Sequence, residues 1–191
     1  EAHVLLWVIH HAIGDHWSDR ILLREMGQVY GALLQGQVPV LPLLRVEYAD
    51  YAAWQRAADQ QAALAPHAAF WRDHLQGVEP LGLPHDRVRR GLPTGQGSSV
   101  ALRLQTATVE AVKRLSTQHG ATSFMFMLAC FKLVLARCSG QTDVAVGAPV
   151  ANRTLLESES LVGTLVNTLV LRTDLSGNPR FTSWLAMEPV Q

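Results

Sequence analysis

HVLLWVIHHAIGDHWSDRILLREM, residues 3–26, carries an apolar run into a cluster of four polar groups, His10, His11, Asp15 and His16, inside seven positions. Residues 4–9 are branched or aromatic with no polar alternation, the pattern of a strand buried on both faces. Trp17-Ser18-Asp19 then offers a hydroxyl helix cap with a carboxylate in the first turn. Leu22, Met26, Val29 and Leu33 follow on one helical face before Gly36. The cluster is therefore expected on a strand-to-helix connection, where the backbone fixes the side chains while their tips stay accessible.

Three chemistries compete for such a cluster. Histidines at an element boundary are often ordinary polar residues, but two adjacent ones with an aspartate four residues on strain that explanation. Imidazole and carboxylate at short spacing also suit zinc or iron. The nearest metal pattern, the His-x-His-x-Asp-His turn of metallo-β-lactamase-like hydrolases, puts Ile13 where its second histidine must stand, and isoleucine ligates nothing. No catalytic metal is expected, and a metal-dependent hydrolase is the distant alternative. The third chemistry is acyl transfer with a histidine at its centre.

His10-His11-Ala12-Ile13-Gly14-Asp15-His16 resembles the His-His-x-x-x-Asp-Gly signature of nonribosomal peptide synthetase condensation domains, and Trp17-Ser18 continues in the family manner. Further segments agree in order. Tyr48-Ala49-Asp50-Tyr51-Ala52-Ala53-Trp54 resembles the family's Tyr-x-Asp-Tyr-Ala-x-Trp helix. Phe70-Trp71 resembles the start of the helix closing the first lobe. Leu83-Pro84-His85-Asp86-Arg87 resembles its Leu-Pro-Thr-Asp-Arg linker, with His85 replacing threonine. DVAVGAPVANR (143–153) and VGTLVNTLVLR (162–172) resemble the strands that follow.

The resemblance implies an α/β fold, a two-lobed chloramphenicol-acetyltransferase-like sandwich, present here as a truncated fragment. Residues 1–76 would be the C-terminal part of the first lobe, 77–99 the inter-lobe linker and 100–191 the first part of the second lobe. It implies amide-bond formation between a carrier-bound acyl or peptidyl thioester and a carrier-bound aminoacyl amine. No cofactor is bound directly, since substrates ride on the 4'-phosphopantetheine of donor and acceptor carrier proteins. An adenylation domain of the same megasynthase is the implied neighbour. The fragment alone is not expected to condense.

By the same resemblance His11 is the catalytic residue, as general base or as the acceptor that orients the neutral amine. His10 and Asp15 serve the turn structurally, Asp15 through an arginine that is either upstream, Arg153 or Arg172. His16, Trp17 and Asn167 are candidate tunnel-lining residues. Asn167 is equally readable as an amide satisfying a neighbouring loop, and Tyr48, Tyr51 and Trp54 as a packed helical stripe. His16 departs from the family, which has glycine there. If that backbone needs positive φ, histidine costs roughly 1–2 kcal/mol. Its imidazole would narrow the site, add a second base, or mark a domain that only docks carriers.

Composition fits an excerpt of a large soluble enzyme, and a cytoplasmic location is expected. Sixteen basic and sixteen acidic residues leave no global field toward nucleic acid or anionic lipid. Only Lys113 and Lys132 are lysines, and with the abundant alanine this points to a GC-rich bacterial genome. The most apolar segment, 124–136, carries Lys132 and falls short of the roughly 20 residues a membrane span needs. Cys130 and Cys138 fall on one helix, about 12 Å apart along its axis, and read as reduced core cysteines.

Helices are expected at 19–35, 48–61 and 66–75. Residues 77–99 then hold Pro80, Pro84 and Pro93, five glycines and the Arg87, Arg89, Arg90 cluster, a breaker-rich crossover. Beyond it come a strand at 100–104, helices at 107–118 and 123–136, strands at 144–149 and 165–173, a turn at 176–179 and a helical start at Phe181. The 123–136 helix, apolar on nearly all sides, is expected to be buried all round.

Overall fold

The structure is a computed structural model that describes residues 3–86, 95–177 and 179–185. Its helices are α1 (His16–Leu34), α2 (Tyr48–Gln55), α3 (Ala58–His74), α4 (Thr106–Gln118), α5 (Ser123–Ser139) and α6 (Phe181–Leu185). Strands β1 (Asp143–Val150) and β2 (Asn167–Asp174) pair as a two-stranded sheet, and a 3-10 turn, Leu156–Ser160, lies between them. The Leu175 N–H donates to the Thr142 carbonyl at 2.7 Å, so the end of β2 meets the start of β1 as in an antiparallel pair. The chain divides into two compact units. One comprises 1–74 with 147–169, the other 75–146 with 170–191.

In the first unit α1 starts three residues earlier than the hydroxyl cap predicts. Asp15, in extended conformation, is the N-cap, and its carboxylate accepts from the Ser18 N–H at 2.9 Å. A carboxylate at the cap satisfies an orphan donor and sits at the positive end of the helix dipole. Ser18 is left inside the first turn, fully buried with Ile21. The expected 48–61 helix breaks after Gln55 and the next runs through Pro66 to His74. Side chains explain the break: Arg56 Nε donates to the Ala52 carbonyl at 3.0 Å and Gln61 Nε2 to the Gln55 carbonyl at 2.9 Å. The carbonyls at the end of α2 are thereby satisfied without further helix. Proline then removes one N–H from a helix that alanine propensity sustains, α3 burying none of its side chains.

Residues 4–9 do not form the predicted strand, and neither do 100–104. Val4 is 97% exposed and Val100 95%. An apolar run becomes a strand only by pairing, and the sheet of the described residues consists of β1 and β2 alone. The Arg87, Arg89 and Arg90 cluster and Asn178 of the expected turn lie outside the described residues.

The second unit holds an apolar cluster. Ala129, Val144, Leu175, Trp184 and Leu185 are its buried centre, with Phe126 and Phe181 packed against it. The rings of Phe126, Phe181 and Trp184 meet edge to face at 5.2 and 5.6 Å. Thr122 caps α5 and Gly140, at φ 72°, ends it in the left-handed conformation that glycine adopts freely. Burial of α5 is one-sided. Leu128, Ala129 and Lys132 are buried, whereas Phe131 and Val134 are more than half exposed, because only that one stripe meets the cluster. Cys138 accordingly lies on the surface, and only Cys130 is partly buried, its thiol pushed up by that burial. Lys132 Nζ reaches Thr173 Oγ1 at 2.6 Å. No single helix of the described residues is long and apolar enough to cross a membrane.

Because Trp184 is 2% exposed at the centre of this cluster, Trp184→Ala is expected to cost about 3–5 kcal/mol. Urea unfolding of the complete protein measures it. The exposed Val134→Ala should stay within about 1 kcal/mol of the parent.

Candidate active site

The polar cluster lies on a tight turn leading into α1. The Ile13 N–H closes on the His10 carbonyl at 3.0 Å, and His10 Nδ1 accepts from the Ala12 N–H at 3.0 Å, a brace across the turn. Gly14 follows, buried, where a Cβ would stand 3.0 Å from Ile9 Cδ1 and 3.4 Å from Ser18 Cβ. Close approach, not unusual φ, selects glycine there.

Asp15 is the hub. Its Oδ1 accepts from the Ser18 N–H and lies 2.9 Å from the Ser18 hydroxyl, and Oδ2 accepts from the Leu165 N–H at 3.1 Å. Arg153 Nη2 stands 3.1 Å from Oδ1 and 3.4 Å from Oδ2. The two side chains are 4% and 1% exposed. Arg153 Nη1 donates to the Ser158 and Leu161 carbonyls at 2.5 and 2.7 Å. Of the candidate arginines Arg153 is thus the partner within the described residues, while Arg172 pairs with Asp143 at 2.6 Å. Asn152, just before it, is the one non-glycine of the described residues with positive φ, at 53°, a conformation asparagine tolerates. Burial would raise the Asp15 pKa, but hydrogen bonds from Ser18 N–H, Leu165 N–H, the Ser18 hydroxyl and Arg153 outweigh it and hold the carboxyl at about 2.

His11 sits above this hub. It is exposed, its backbone carbonyl accepts from the Thr164 hydroxyl, and its imidazole makes no hydrogen bond among the described residues. His16 is the first residue of α1, with its side chain 93% exposed and Nδ1 3.8 Å from Asp19. Its backbone is not in the positive-φ region, so no glycine is required there. Trp17 meets the 3-10 turn. Its Nε1 donates to the Glu159 carbonyl at 2.9 Å, and the guanidiniums of Arg153 and Arg20 lie 5.7 and 6.0 Å from its ring centroid. A groove of about 510 Å³ opens beside it, lined by Arg20, Arg24 and Leu156 among others, and excludes His11. Asn167 begins β2, exposed, with Oδ1 accepting from the Thr168 N–H at 2.8 Å.

Five residues of this arrangement escape the sequence reading: Ser18 as an internal partner of Asp15, and Tyr48, Gly163, Thr164 and Leu165. Tyr48 belongs to the aromatic stripe, stacked on Tyr51 at 6.3 Å, yet its hydroxyl donates to the Thr164 carbonyl at 3.0 Å. The adjacent glycine in Val162-Gly163-Thr164 is the one signal of close packing that the sequence offers.

The profile of the condensation domain family matches residues 1–187. The chain belongs to the condensation domain family. A linear gramicidin synthase protein of Brevibacillus parabrevis is 45% identical over 184 residues, 96% of this chain and 4% of that protein. Malpinin synthetase of Mortierella alpina is 44% identical over 177 residues, 92% of this chain and 2% of that protein. Among solved structures, the teicoplanin-biosynthesis X-domain in complex with OxyB superposes with a TM-score of 0.82 at 28% identity, covering 94% of this chain and 42% of that one. The condensation domain is therefore represented in part, in the α/β chloramphenicol-acetyltransferase-like fold.

The depressed Asp15 pKa has a definite sign. The folded state favours the carboxylate, so its contribution, roughly 2 kcal/mol, is complete above about pH 4 and lost as pH falls toward 2. Asp15→Asn should be less stable than the parent at pH 7 and lose less on acidification, the gap narrowing by roughly 2 kcal/mol as pH falls toward 2. Chemical denaturation across pH 2–7 checks this, and parallel curves would contradict it.

Proposed function

We propose that the chain carries the catalytic turn of a condensation domain that joins a donor acyl or peptidyl thioester to an acceptor aminoacyl amine, each delivered on the 4'-phosphopantetheine arm of a carrier protein. The observation that carries the reading is the exposed, unengaged imidazole of His11 on a turn anchored by a buried ion pair. The amine attacks the thioester carbonyl, a C–N bond forms, the C–S bond breaks, and the amine proton passes by way of His11 to the departing thiolate. A thioester is already activated, so juxtaposition supplies the larger share, about 7–11 kcal/mol. A positioned base adds about 10²–10⁴-fold.

His10 and Asp15 hold the turn in this reading and touch no reacting atom. His16, Trp17 and Asn167 stand as candidate neighbours of the substrates. The partners are donor and acceptor carriers and an adenylation domain of the same cytoplasmic megasynthase. A second reading, a module that only docks protein partners, draws on the likeness to the X-domain solved with OxyB. It also draws on His16 in the place of the family's glycine.

In the complete domain, His11→Ala should lower dipeptidyl-carrier formation by about 10²–10⁴-fold with its melting temperature near the parent's. Residual activity from juxtaposition should remain. His16→Gly separates the two readings: unchanged or improved turnover fits the enzyme, and activity regained from nothing fits the docking module. Parental turnover by His11→Ala with both carriers saturating would remove acyl transfer from this turn.

A further inference from the structure

Three consecutive residues of the 163–165 loop bond to the segment that carries the histidines. The Gly163 N–H and carbonyl lie 3.0 and 2.9 Å from the Ser18 hydroxyl, and the Leu165 N–H donates to Asp15. Both contacts land at the start of α1. Thr164, between them, donates its hydroxyl to the carbonyl of His11 itself.

Thr164 is in turn held in place. Its own carbonyl accepts from the Tyr48 hydroxyl at 3.0 Å. The Tyr48 ring occupies the space beside Gly163, where a Cβ would stand 2.1 Å from Tyr48 Cδ2. The loop is therefore clamped between α2 on one side and Ser18 on the other, and the threonine hydroxyl is presented from a fixed backbone. A hydrogen bond to the His11 carbonyl fixes the plane of the peptide that follows it, and with it the direction in which the Cα–Cβ bond of His11 leaves the turn. His10 Nδ1 braces the same turn from within at Ala12. Among the described residues, the Thr164 contact is the one hydrogen bond between His11 and a distant segment of the chain.

We infer that Thr164 is a positioning residue for His11, its hydroxyl setting the His11 peptide plane and so aiming the imidazole. The inference rests on the reading of His11 as the residue that meets the attacking amine. Thr164 itself touches no reacting atom. Valine keeps the volume and branching of threonine and lacks the hydroxyl, whereas serine keeps the hydroxyl.

The experiment compares T164V, T164S and H11A in the complete domain with two loaded carriers, following dipeptidyl-carrier formation and a thermal melt. T164V should lower kcat about 10-fold or more, since a misplacement of about 1 Å costs on the order of 10²-fold. KM for either carrier should stay within about twofold, and T164S should recover most of the parental kcat. Parental kcat in T164V beside a strongly impaired H11A overturns the positioning role and leaves the reading of His11 standing. Equal loss in T164V and T164S also overturns it, because the hydroxyl is then not the cause. Parental kcat in H11A removes the reading beneath it. Should T164V fail to fold, Thr164→Ala takes its place with the same outcomes.

Discussion

The buried ion pair of Asp15 and Arg153 is the constraint on which the histidine turn depends. Two charges with side chains 4% and 1% exposed are costly to remove from water, and attraction alone does not offset that cost. Hydrogen bonds to the backbone supply most of the rest, with Arg153 Nε buried and without a hydrogen-bond partner among the described residues. Asp15 accepts from two backbone N–H groups beside Arg153, and Arg153 donates to two backbone carbonyls of the 3-10 turn region. The pair joins segments 138 residues apart.

Geometry follows from that. Because Asp15 is both the N-cap of α1 and the partner of Arg153, the helix start and the 153–165 loop are fixed to one carboxylate. In the turn before it both histidines are exposed, but His10 Nδ1 is engaged by the Ala12 N–H while the His11 imidazole makes no hydrogen bond among the described residues. The carboxylate is committed to structure, whereas the His11 imidazole is exposed and makes no hydrogen bond among the described residues, which is what the proposed role for it requires. His16 stays outside this hub on the solvent side of α1, which explains how histidine replaces glycine without disturbing the backbone.

The polar cluster, the helix after it and the family itself were legible in the sequence, because the signature residues follow one another along the chain. Helices α4 and α5 and both strands fall within a few residues of where periodicity puts them. What was not legible depends on partners distant in sequence. The 4–9 run has strand composition but no pairing partner among the described residues, and α5 has apolar residues all round but is buried along one stripe, Leu128, Ala129 and Lys132. The start of α1 shifted from Ser18 to Asp15 because either residue can cap, and only the arrival of Leu165 and Arg153 decides between them. Gly163 reads as a loop glycine until the Tyr48 ring is seen to fill its side.

The central claim is that Asp15 and Arg153 act as one unit, and a double-mutant cycle measures this directly. Asp15→Asn, Arg153→Met and the pair would be compared by urea unfolding of the complete domain at pH 7. Each single change should cost about 3–5 kcal/mol, since it strands the other charge in the interior. The double should cost little more than either, a coupling of about 2 kcal/mol or more. Additive losses, with coupling near zero, would show that the two residues stabilise the turn independently and would contradict the account.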